Sequence, residues 1–388
     1  MEKSALLKNY NRFSVEFDHG NGFYLYDTEG KEYIDFYSGI AVTSFGHNHP
    51  QIKNAAIDQI NKLWHTSNLF SSSLQESLAK KISEKSGMDF VFFCNSGTEA
   101  NEAAIKFARK WGNGRYEIIS THGSFHGRSY GALSATGQYK FWKGFEPLVP
   151  GFSHVPYGSV SAVANAITDN TVAVLIETIQ GEGGVNVPPV DYLQGLRELC
   201  TEKNILLIID EIQTGIGRTG KFYSYQNSNI IPDIVTSAKG LANGIPIGAV
   251  LCSKDIAEVI KPGDHGSTFG GNPIAVAVAN KVIDLLDENT LSEIEKLGNT
   301  LMNGLHGLHI ASIKNIRGCG LIIGVEFSSN VSAKIISAKM LDAGFVVGTA
   351  GEYVLRILPP FIITQNEIAK FLFALKKIIS EVSEIKSL

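Results

Sequence analysis

The chain has 388 residues, of which 44% are hydrophobic and 19% charged, and its formal net charge is −4. This length and composition predict a well-packed globule with two domains sharing a large core. The weak negative charge disfavours nucleic acid or an anionic membrane surface as the main partner.

Membrane insertion and secretion are not expected either. No stretch approaches the ~20 apolar residues of a membrane helix, and residues 1–10 lack the apolar run of a signal peptide. The four cysteines lie far apart and form no CxxC pair, so neither a disulfide framework nor a zinc site is indicated. The expected location is the cytoplasm.

Residues 1–50 alternate turns with short strands. Tyr24, Tyr26 and the turn at Gly30 predict a hairpin. We expect this segment to contribute to the smaller of the two domains.

Between residues 51 and 290, apolar runs alternate with helical stretches. The apolar runs cover residues 90–93, 117–120, 172–176, 205–209, 234–235 and 247–251. This alternation predicts an α/β large domain with a mostly parallel sheet covered on both faces.

Residues 291–388 follow a different pattern. Apolar residues from Ile368 to Val382 recur at helical spacing, so a long helix is expected to cover a second, smaller sheet. We therefore predict a C-terminal α+β domain.

Two polar residues each close an apolar run of the large domain. Asp210 follows the run 205–209, and Lys239 follows the run 233–238. Both runs are typical of buried strands, so the two side chains should lie at one edge of the sheet, where such sheets bind ligands. An amine that bonds to the cofactor aldehyde and a carboxylate that keeps the pyridine nitrogen protonated suit pyridoxal phosphate. Lys239 and Asp210 are thus the predicted catalytic residues.

Ser96, Gly97 and Thr98 stand between the run 90–93 and a helical stretch over 100–110. With Glu99 they form a capping box, which a well-capped helix explains without any ligand. Free amides at a helix start, with Gly97 allowing close approach, also form an anion site. Beside Lys239, phosphate binding is the favoured interpretation.

Two nucleotide-binding patterns compete with this interpretation. Residues 215–222 nearly fit a P-loop, but Phe222 stands where a serine or threonine should bind magnesium. Gly215, Gly217 and Gly220 satisfy GxGxxG, yet no apolar-periodic helix follows them. A bent loop is the preferred interpretation, and a nicotinamide-dependent oxidoreductase is a minor alternative.

Phe125 and Arg128 follow the run 117–120. Without context, Phe125 is a core residue and Arg128 a surface charge. In a cofactor site, Phe125 can stack on a flat ring and Arg128 can bind a carboxylate through two hydrogen bonds. The nearby His122 and His126 lack metal-ligand spacing, so no metal is expected.

Glu182 and Arg356 are two further charges with an ordinary explanation. Glu182 belongs to the glycine-rich run 181–184, and Arg356 lies in the short apolar segment 355–360. Each alone is most simply a solvated surface charge. Together they could meet across a cleft.

Ordered sequence blocks resemble those of the class III (ω-) aminotransferases, which are pyridoxal-phosphate enzymes of fold type I. The resemblance spans essentially the whole chain and is greatest to acetylornithine aminotransferases. The blocks are residues 39–42, 46–50, 95–102, 124–128, 180–184, 210–215, 238–240 and 267–273. Thr178 departs from the family, which commonly has proline there.

The resemblance implies roles for residues of a pyridoxal-phosphate site. Lys239 would carry the cofactor, Asp210 would pair with its pyridine nitrogen, and Gln213 would reach the ring hydroxyl. The phosphate and ring contacts would come from Ser96, Gly97, Thr98 and Phe125. Thr268 would reach the phosphate of the neighbouring subunit, which implies a homodimer with shared active sites.

The resemblance also implies substrate contacts. Arg128 and Ser267 would contact an acylated ornithine. Arg356 would hold the α-carboxylate of 2-oxoglutarate or glutamate, and Glu182 would cover it when the other substrate binds. Ornithine enzymes of the family tend to place a tyrosine near position 40, so Ile40 favours an acylated or absent α-amine.

The implied reaction is ping-pong transamination from N2-acetylornithine to 2-oxoglutarate, with a role in arginine biosynthesis. The rival donors are ornithine, succinylornithine, succinyl-diaminopimelate and 4-aminobutyrate. A non-catalytic binding protein on the same fold is disfavoured, because Lys239 and Asp210 are both present.

Overall fold

The computed structural model describes residues 5–385. Residues 1–4, part of the opening segment for which no signal peptide is expected, and residues 386–388 lie outside that range. The N-terminal elements are β1 (Phe17–Asn21), β2 (Tyr24–Asp27), β3 (Glu32–Asp35), α1 (Ser38–Ala41), α2 (Pro50–Ile60) and α3 (Ser73–Ser86). Strands β2 and β3 pair antiparallel around a turn at Gly30, whose φ is 83°, and this confirms the predicted hairpin.

The central part of the chain alternates strands and helices. Its elements are β4 (Phe90–Cys94), α4 (Gly97–Trp111), β5 (Glu117–Thr121), α5 (Tyr130–Ala135), α6 (Tyr139–Trp142), β6 (Phe152–Val155), α7 (Val160–Ala166), β7 (Thr171–Glu177), α8 (Tyr192–Glu202), β8 (Leu206–Asp210), β9 (Ile234–Ser237), β10 (Gly248–Cys252), α9 (Lys254–Val259) and α10 (Pro273–Leu285). Short 3₁₀ turns cover Ser224–Ser228 and Lys239–Ala242.

These strands form one seven-stranded sheet in the order β4-β10-β9-β8-β7-β5-β6. Strand β10 runs antiparallel to both of its neighbours, and the other strands are parallel to one another. Every residue of β7, β8, β9 and β10 is buried, as expected for a sheet with helices on both faces. The predicted α/β fold with a mostly parallel sheet is confirmed.

The C-terminal part builds a separate four-stranded sheet. Its elements are α11 (Glu288–His306), β11 (Ile313–Cys319), β12 (Ile322–Phe327), α12 (Ala333–Asp342), β13 (Phe345–Val346), β14 (Gly348–Ala350), β15 (Val354–Ile357) and α13 (Gln365–Ile385). The sheet is antiparallel, in the order β11-β12-β15-β14. Helix α13 buries Ile368, Phe371 and Leu375 in one cluster with Val325 and Leu355 of this sheet, which confirms the predicted covering helix.

The N-terminal and C-terminal parts share a sheet. Strand β13 pairs in parallel with β3, and Phe36 stacks on Phe371 of α13 with ring centroids 4.1 Å apart. The domain boundaries near residues 50 and 290 stay a prediction. Among residues 5–385, no helix is long and apolar enough to cross a membrane.

Candidate active site

Asp210 ends β8 at the carboxyl edge of the seven-stranded sheet and is only 4% exposed. Its Oδ2 accepts a hydrogen bond from Asn101 Nδ2 at 2.8 Å and lies 2.8 Å from His126 Nδ1. Its Oδ1 accepts from the Ile212 amide at 3.0 Å. The Thr236 hydroxyl holds Asn101 in turn by donating to its Oδ1 at 2.9 Å. A buried carboxylate needs such partners, and they fix the direction in which it acts.

Lys239 begins a 3₁₀ turn two residues after the end of β9. Its φ of 46° is unusual for a residue other than glycine and marks local backbone strain, which concentrates at functional sites. Burial, and then the nearby Arg356 charge, lower the pKa of the Lys239 amine to about 8. The amine therefore loses its proton more readily than an ordinary lysine, and only the unprotonated amine can attack a carbonyl carbon.

Lys239 and Asp210 open onto one cavity of about 450 Å³. Other predicted site residues line the same cavity, namely Ser96, Gly97, Thr98, Phe125, Arg128, Glu182 and Gln213. These residues come from five separate segments of the sequence, and the fold brings them to one cavity.

The cavity wall includes the N-terminus of α4. Ser96 caps this helix by accepting a hydrogen bond from the Glu99 amide at 3.3 Å. An ideal Cβ on Gly97 would lie 2.8 Å from Ile212 Cδ1, so a side chain does not fit there. The Thr98 hydroxyl lies 2.6 Å from the hydroxyl of Ser129. Backbone amides and hydroxyls at a helix start form a suitable phosphate cradle.

Phe125 and Arg128 lie on the loop after β5 and contact each other. The Arg128 guanidinium carbon is 5.1 Å from the Phe125 ring centroid and 5.2 Å from that of Phe141. Arg128 is exposed, whereas Phe125 is half-buried. An aromatic face and a free guanidinium at one cavity suit a flat ring and a carboxylate, respectively.

Glu177 is a site residue that the sequence analysis missed. It ends β7 and pairs in register with Asp210 on the neighbouring strand. Its carboxylate accepts hydrogen bonds from the Phe125 amide at 3.0 Å and the Gly181 amide at 3.2 Å, so it ties together two loops of the cavity. Burial raises the pKa of Glu177 to about 7. A signal existed, because Glu177 closes the apolar run 172–176 just as Asp210 closes its own run.

Arg356 lies on β15, is 1% exposed and makes four polar contacts. Its Nη2 lies 2.9 Å from Glu182 Oε2 and donates to the Tyr37 hydroxyl at 3.0 Å and to the Thr349 carbonyl at 3.4 Å. Its Nη1 donates to Gln213 Oε1 at 3.2 Å. Burial alone would lower the pKa of this guanidinium, but Tyr37 and Glu182 outweigh burial and raise it. The fold thus brings Glu182 and Arg356 together.

Four predicted residues lie outside the lining of the cavity in a single chain, namely Arg356, Ser267, Thr268 and Ile40. Arg356 reaches it through its contacts with the lining residues Glu182 and Gln213. Ser267 contacts its rim, because its hydroxyl accepts from Asn95 Nδ2 at 3.0 Å. Thr268 is exposed on the same loop. Ile40 is 39% exposed and has a left-handed φ of 70°. Their roles stay predictions.

The glycines of the GxGxxG pattern form a bent loop. Gly217 and Gly220 have φ values of 86° and 84°, and the loop between them packs against α11 near Glu295. The pattern therefore does not open a helix, which a dinucleotide site requires.

The chemistry of the cavity fits pyridoxal phosphate. It offers an easily deprotonated amine, an oriented carboxylate, an aromatic face and a helix start without side-chain bulk at Gly97. These groups match an aldehyde, a pyridine nitrogen, a flat ring and a phosphate.

Comparisons with known proteins agree with this chemistry. The family model described as aminotransferase class-III matches residues 6–379. An acetylornithine aminotransferase from Aquifex aeolicus is 46% identical over 379 residues, covering 96% of this chain and 99% of that protein. The acetylornithine aminotransferase of Bacillus subtilis is 44% identical, covering 98% of this chain and 99% of that protein.

Solved structures show the same fold. The ornithine aminotransferase from Toxoplasma gondii ME49 superposes with a TM-score of 0.94 at 36% identity, covering 98% of this chain and 93% of that one. The N-acetylornithine aminotransferase from Stenotrophomonas maltophilia superposes with a TM-score of 0.85 at 33% identity, covering 98% of each chain. From its near full-length match and the arrangement of its cavity, the chain belongs to the class III aminotransferases.

Proposed function

We propose that this chain moves the terminal amine of N2-acetyl-L-ornithine to 2-oxoglutarate, with pyridoxal phosphate bound at Lys239. The observation that carries the proposal is a buried arginine, Arg356, paired with Glu182, a carboxylate that lines the same cavity as Lys239 and Asp210. Relatives named acetylornithine aminotransferase, 43–46% identical over nearly the full length, support the choice of donor.

Different residues of the cavity would contact different parts of the cofactor. Ser96, Gly97 and Thr98 would hold the phosphate at the start of α4. Phe125 would lie against the ring, Gln213 would bind the ring hydroxyl, and Asp210 would hold the proton of the pyridine nitrogen. His126 and Asn101 keep the Asp210 carboxylate oriented for that purpose, because each contacts its Oδ2.

When bound, pyridoxal phosphate supplies a cationic ring that withdraws electrons from the substrate carbon next to the amine. Lys239 Nζ would be the base that takes the proton from that carbon, and its lowered pKa makes the unprotonated amine more abundant near neutral pH than in an ordinary lysine. Glu177 holds the Phe125 and Gly181 loops in place around the cavity by accepting a hydrogen bond from an amide of each.

The two substrates differ in their charges close to Lys239. Glutamate and 2-oxoglutarate bring an α-carboxylate there, which Arg356 can bind through two hydrogen bonds. N2-acetylornithine reacts at its terminal amine and brings only one, distant carboxylate, for which the exposed Arg128 is placed. A buried guanidinium without a partner is costly, so Glu182 would cover Arg356 during that half-reaction.

We further propose a homodimer in which Thr268 serves the neighbouring subunit. Large apolar side chains are exposed around Thr268, namely Trp64, Leu69, Phe70 and Phe269. Asn68 joins the two loops that carry them by donating to the carbonyls of Ser267 and Gly270. An exposed apolar surface of this kind marks a contact with another chain. The cytoplasmic location expected from the sequence stays a prediction.

Initial rates over a panel of donors test the proposed function. The panel contains N2-acetylornithine, ornithine, succinylornithine, succinyl-diaminopimelate and 4-aminobutyrate, each with 2-oxoglutarate as acceptor. We expect the highest kcat/KM with N2-acetylornithine, because Ile40 offers no hydrogen bond to a free α-amine. A higher kcat/KM with ornithine would favour the activity named for the Toxoplasma gondii neighbour.

A further inference from the structure

Tyr37 contacts Arg356, the arginine proposed to bind the α-carboxylate, but it belongs to none of the family sequence blocks. It lies between β3 and α1, and its backbone is fixed on both sides. Its amide donates to Asp35 Oδ1 at 2.8 Å, and its carbonyl accepts from the amides of Ile40 at 2.9 Å and Ala41 at 3.1 Å. The start of its side chain is therefore held firmly.

The ring of Tyr37 is also fixed by its packing. It lies directly on the backbone of Gly348 in β14, where any Cβ would clash with the ring. Gly348 pairs with Arg356 on the adjacent strand β15. The glycine thus leaves the space that brings the Tyr37 hydroxyl to the guanidinium.

The Tyr37 hydroxyl and Glu182 share one nitrogen of Arg356. Nη2 carries two hydrogens and lies 3.0 Å from the Tyr37 hydroxyl and 2.9 Å from Glu182 Oε2, closer than the Thr349 carbonyl at 3.4 Å. The Glu182 side chain is 31% exposed, whereas that of Arg356 is 2% exposed. Glu182 is consequently the partner that can move away, and Tyr37 is the partner that stays.

A phenol oxygen that accepts a hydrogen bond can still donate its own hydrogen. Because the oxygen of Tyr37 accepts from Arg356, its hydrogen is free to turn toward a carboxylate beside the guanidinium. A substrate carboxylate that takes the place of Glu182 on Arg356 would be such a partner.

We propose that Tyr37 determines specificity for α-carboxylates by keeping Arg356 aimed at the position that Glu182 leaves and by donating its hydroxyl hydrogen to the incoming carboxylate. The inference rests on the proposed function, since it concerns the glutamate and 2-oxoglutarate half-reaction. N2-acetylornithine leaves Glu182 on Arg356 and does not need the Tyr37 hydroxyl.

The test compares Tyr37→Phe with wild type, both loaded with cofactor. Glutarate, which has two carboxylates but neither an amine nor a keto group, is titrated by calorimetry to give a dissociation constant. We expect binding to weaken about ten-fold, as for the loss of a hydrogen bond to a charged group. In single-turnover experiments, half-saturation by glutamate should rise by a similar factor, while that by N2-acetylornithine changes less than about two-fold.

Tyr26→Phe is the matched control, because its hydroxyl donates to Glu32 at 2.8 Å on the N-terminal sheet, away from the cavity. It should leave glutarate binding and both half-reactions unchanged. If Tyr37→Phe does not fold, Gly348→Ala displaces the same ring and should give the same selective loss.

Unchanged glutarate binding in Tyr37→Phe, or an equal loss in both half-reactions, would overturn the role of Tyr37. Failure of the proposed function looks different. In that case wild type itself does not react with N2-acetylornithine, while calorimetry still reports whether the Tyr37 hydroxyl contributes to carboxylate binding.

Discussion

Glu182 Oε2 lies 2.9 Å from Arg356 Nη2. Glu182 lies on the loop after β7 of the seven-stranded sheet, whereas Arg356 lies on β15 of the C-terminal antiparallel sheet. The contact neutralises a buried guanidinium with a side chain that is partly exposed and sits among glycines. A removable partner of this kind would let one pocket accept substrates with and without an α-carboxylate.

Replacing the cover should separate the two half-reactions. Glu182→Ala leaves Arg356 open to α-carboxylates, so we expect the N2-acetylornithine half-reaction to lose about ten-fold relative to the glutamate half-reaction, or about 1.4 kcal/mol. Single-turnover absorbance changes with each donor measure this ratio. Glu202→Ala, which removes an exposed partner of Lys203, is the control. An equal loss in both halves would mean that Glu182 is not a cover.

Asp210→Asn should keep the cofactor bound and lose most turnover. An amide removes the negative charge that raises the pKa of the pyridine nitrogen, and such a charge is worth about 1–3 pKa units. We therefore expect kcat to fall by about ten- to a thousand-fold, with cofactor content measured by absorbance unchanged. Asp284→Asn, on an exposed ion pair with Lys81, is the control. Wild-type turnover in Asp210→Asn would make Asp210 a structural residue.

Hybrid dimers test the shared active site. A Lys239→Ala chain mixed with a Thr268→Ala chain gives hybrids in which one site carries both lesions and the other carries neither. If Thr268 acts in the neighbouring subunit, purified hybrids should recover close to half of wild-type activity, above either parent. Absence of recovery in hybrids of verified composition would place Thr268 outside the shared site.

The pH dependence of cofactor capture tests the environment of Lys239. Burial and the Arg356 charge lower the pKa of its amine to about 8, so the reactive neutral form predominates above that pH. The rate at which cofactor-free protein captures pyridoxal phosphate should rise with pH and level off above about 8. An ordinary lysine would keep gaining rate up to about pH 10.4.

Two Arg356 variants sharpen this measurement. Arg356→Gln removes the positive charge that helps to lower the pKa of Lys239. The pH above which the capture rate stops rising should therefore move higher. Arg356→Lys keeps the positive charge and should leave that pH in place. Coincident pH profiles for all three proteins would rule out an effect of Arg356 on Lys239.

Much of the fold was predictable from local patterns. Each of the six apolar runs in residues 51–290 overlaps an observed strand, because strands buried on both faces need continuous apolar sequence. Strand β6 was missed because Ser153 and His154 interrupt its apolar residues. Strand β4, at the opposite edge of the sheet, keeps the continuous apolar run 90–93 and was predicted.

The candidate site was predictable where a residue belongs to a motif or closes an apolar run. Asp210, Lys239 and the Ser96-Gly97-Thr98 capping box meet these conditions, and all of them line the cavity. Tyr37 meets neither, because its position depends on the close approach of Gly348 from more than three hundred residues away in sequence. Contacts between distant segments leave no local signal in one sequence.

The position of the covalent bond to the cofactor tests the central claim most directly. Borohydride reduction of the loaded protein, followed by trypsin digestion and mass spectrometry, should yield one pyridoxylated peptide. Because trypsin does not cleave after a modified lysine, the account predicts a joined peptide from Phe222 to Lys254 with the pyridoxyl mass on Lys239. Separate unmodified peptides ending at Lys239 and Lys254, with the label on another lysine or on none, would contradict the account.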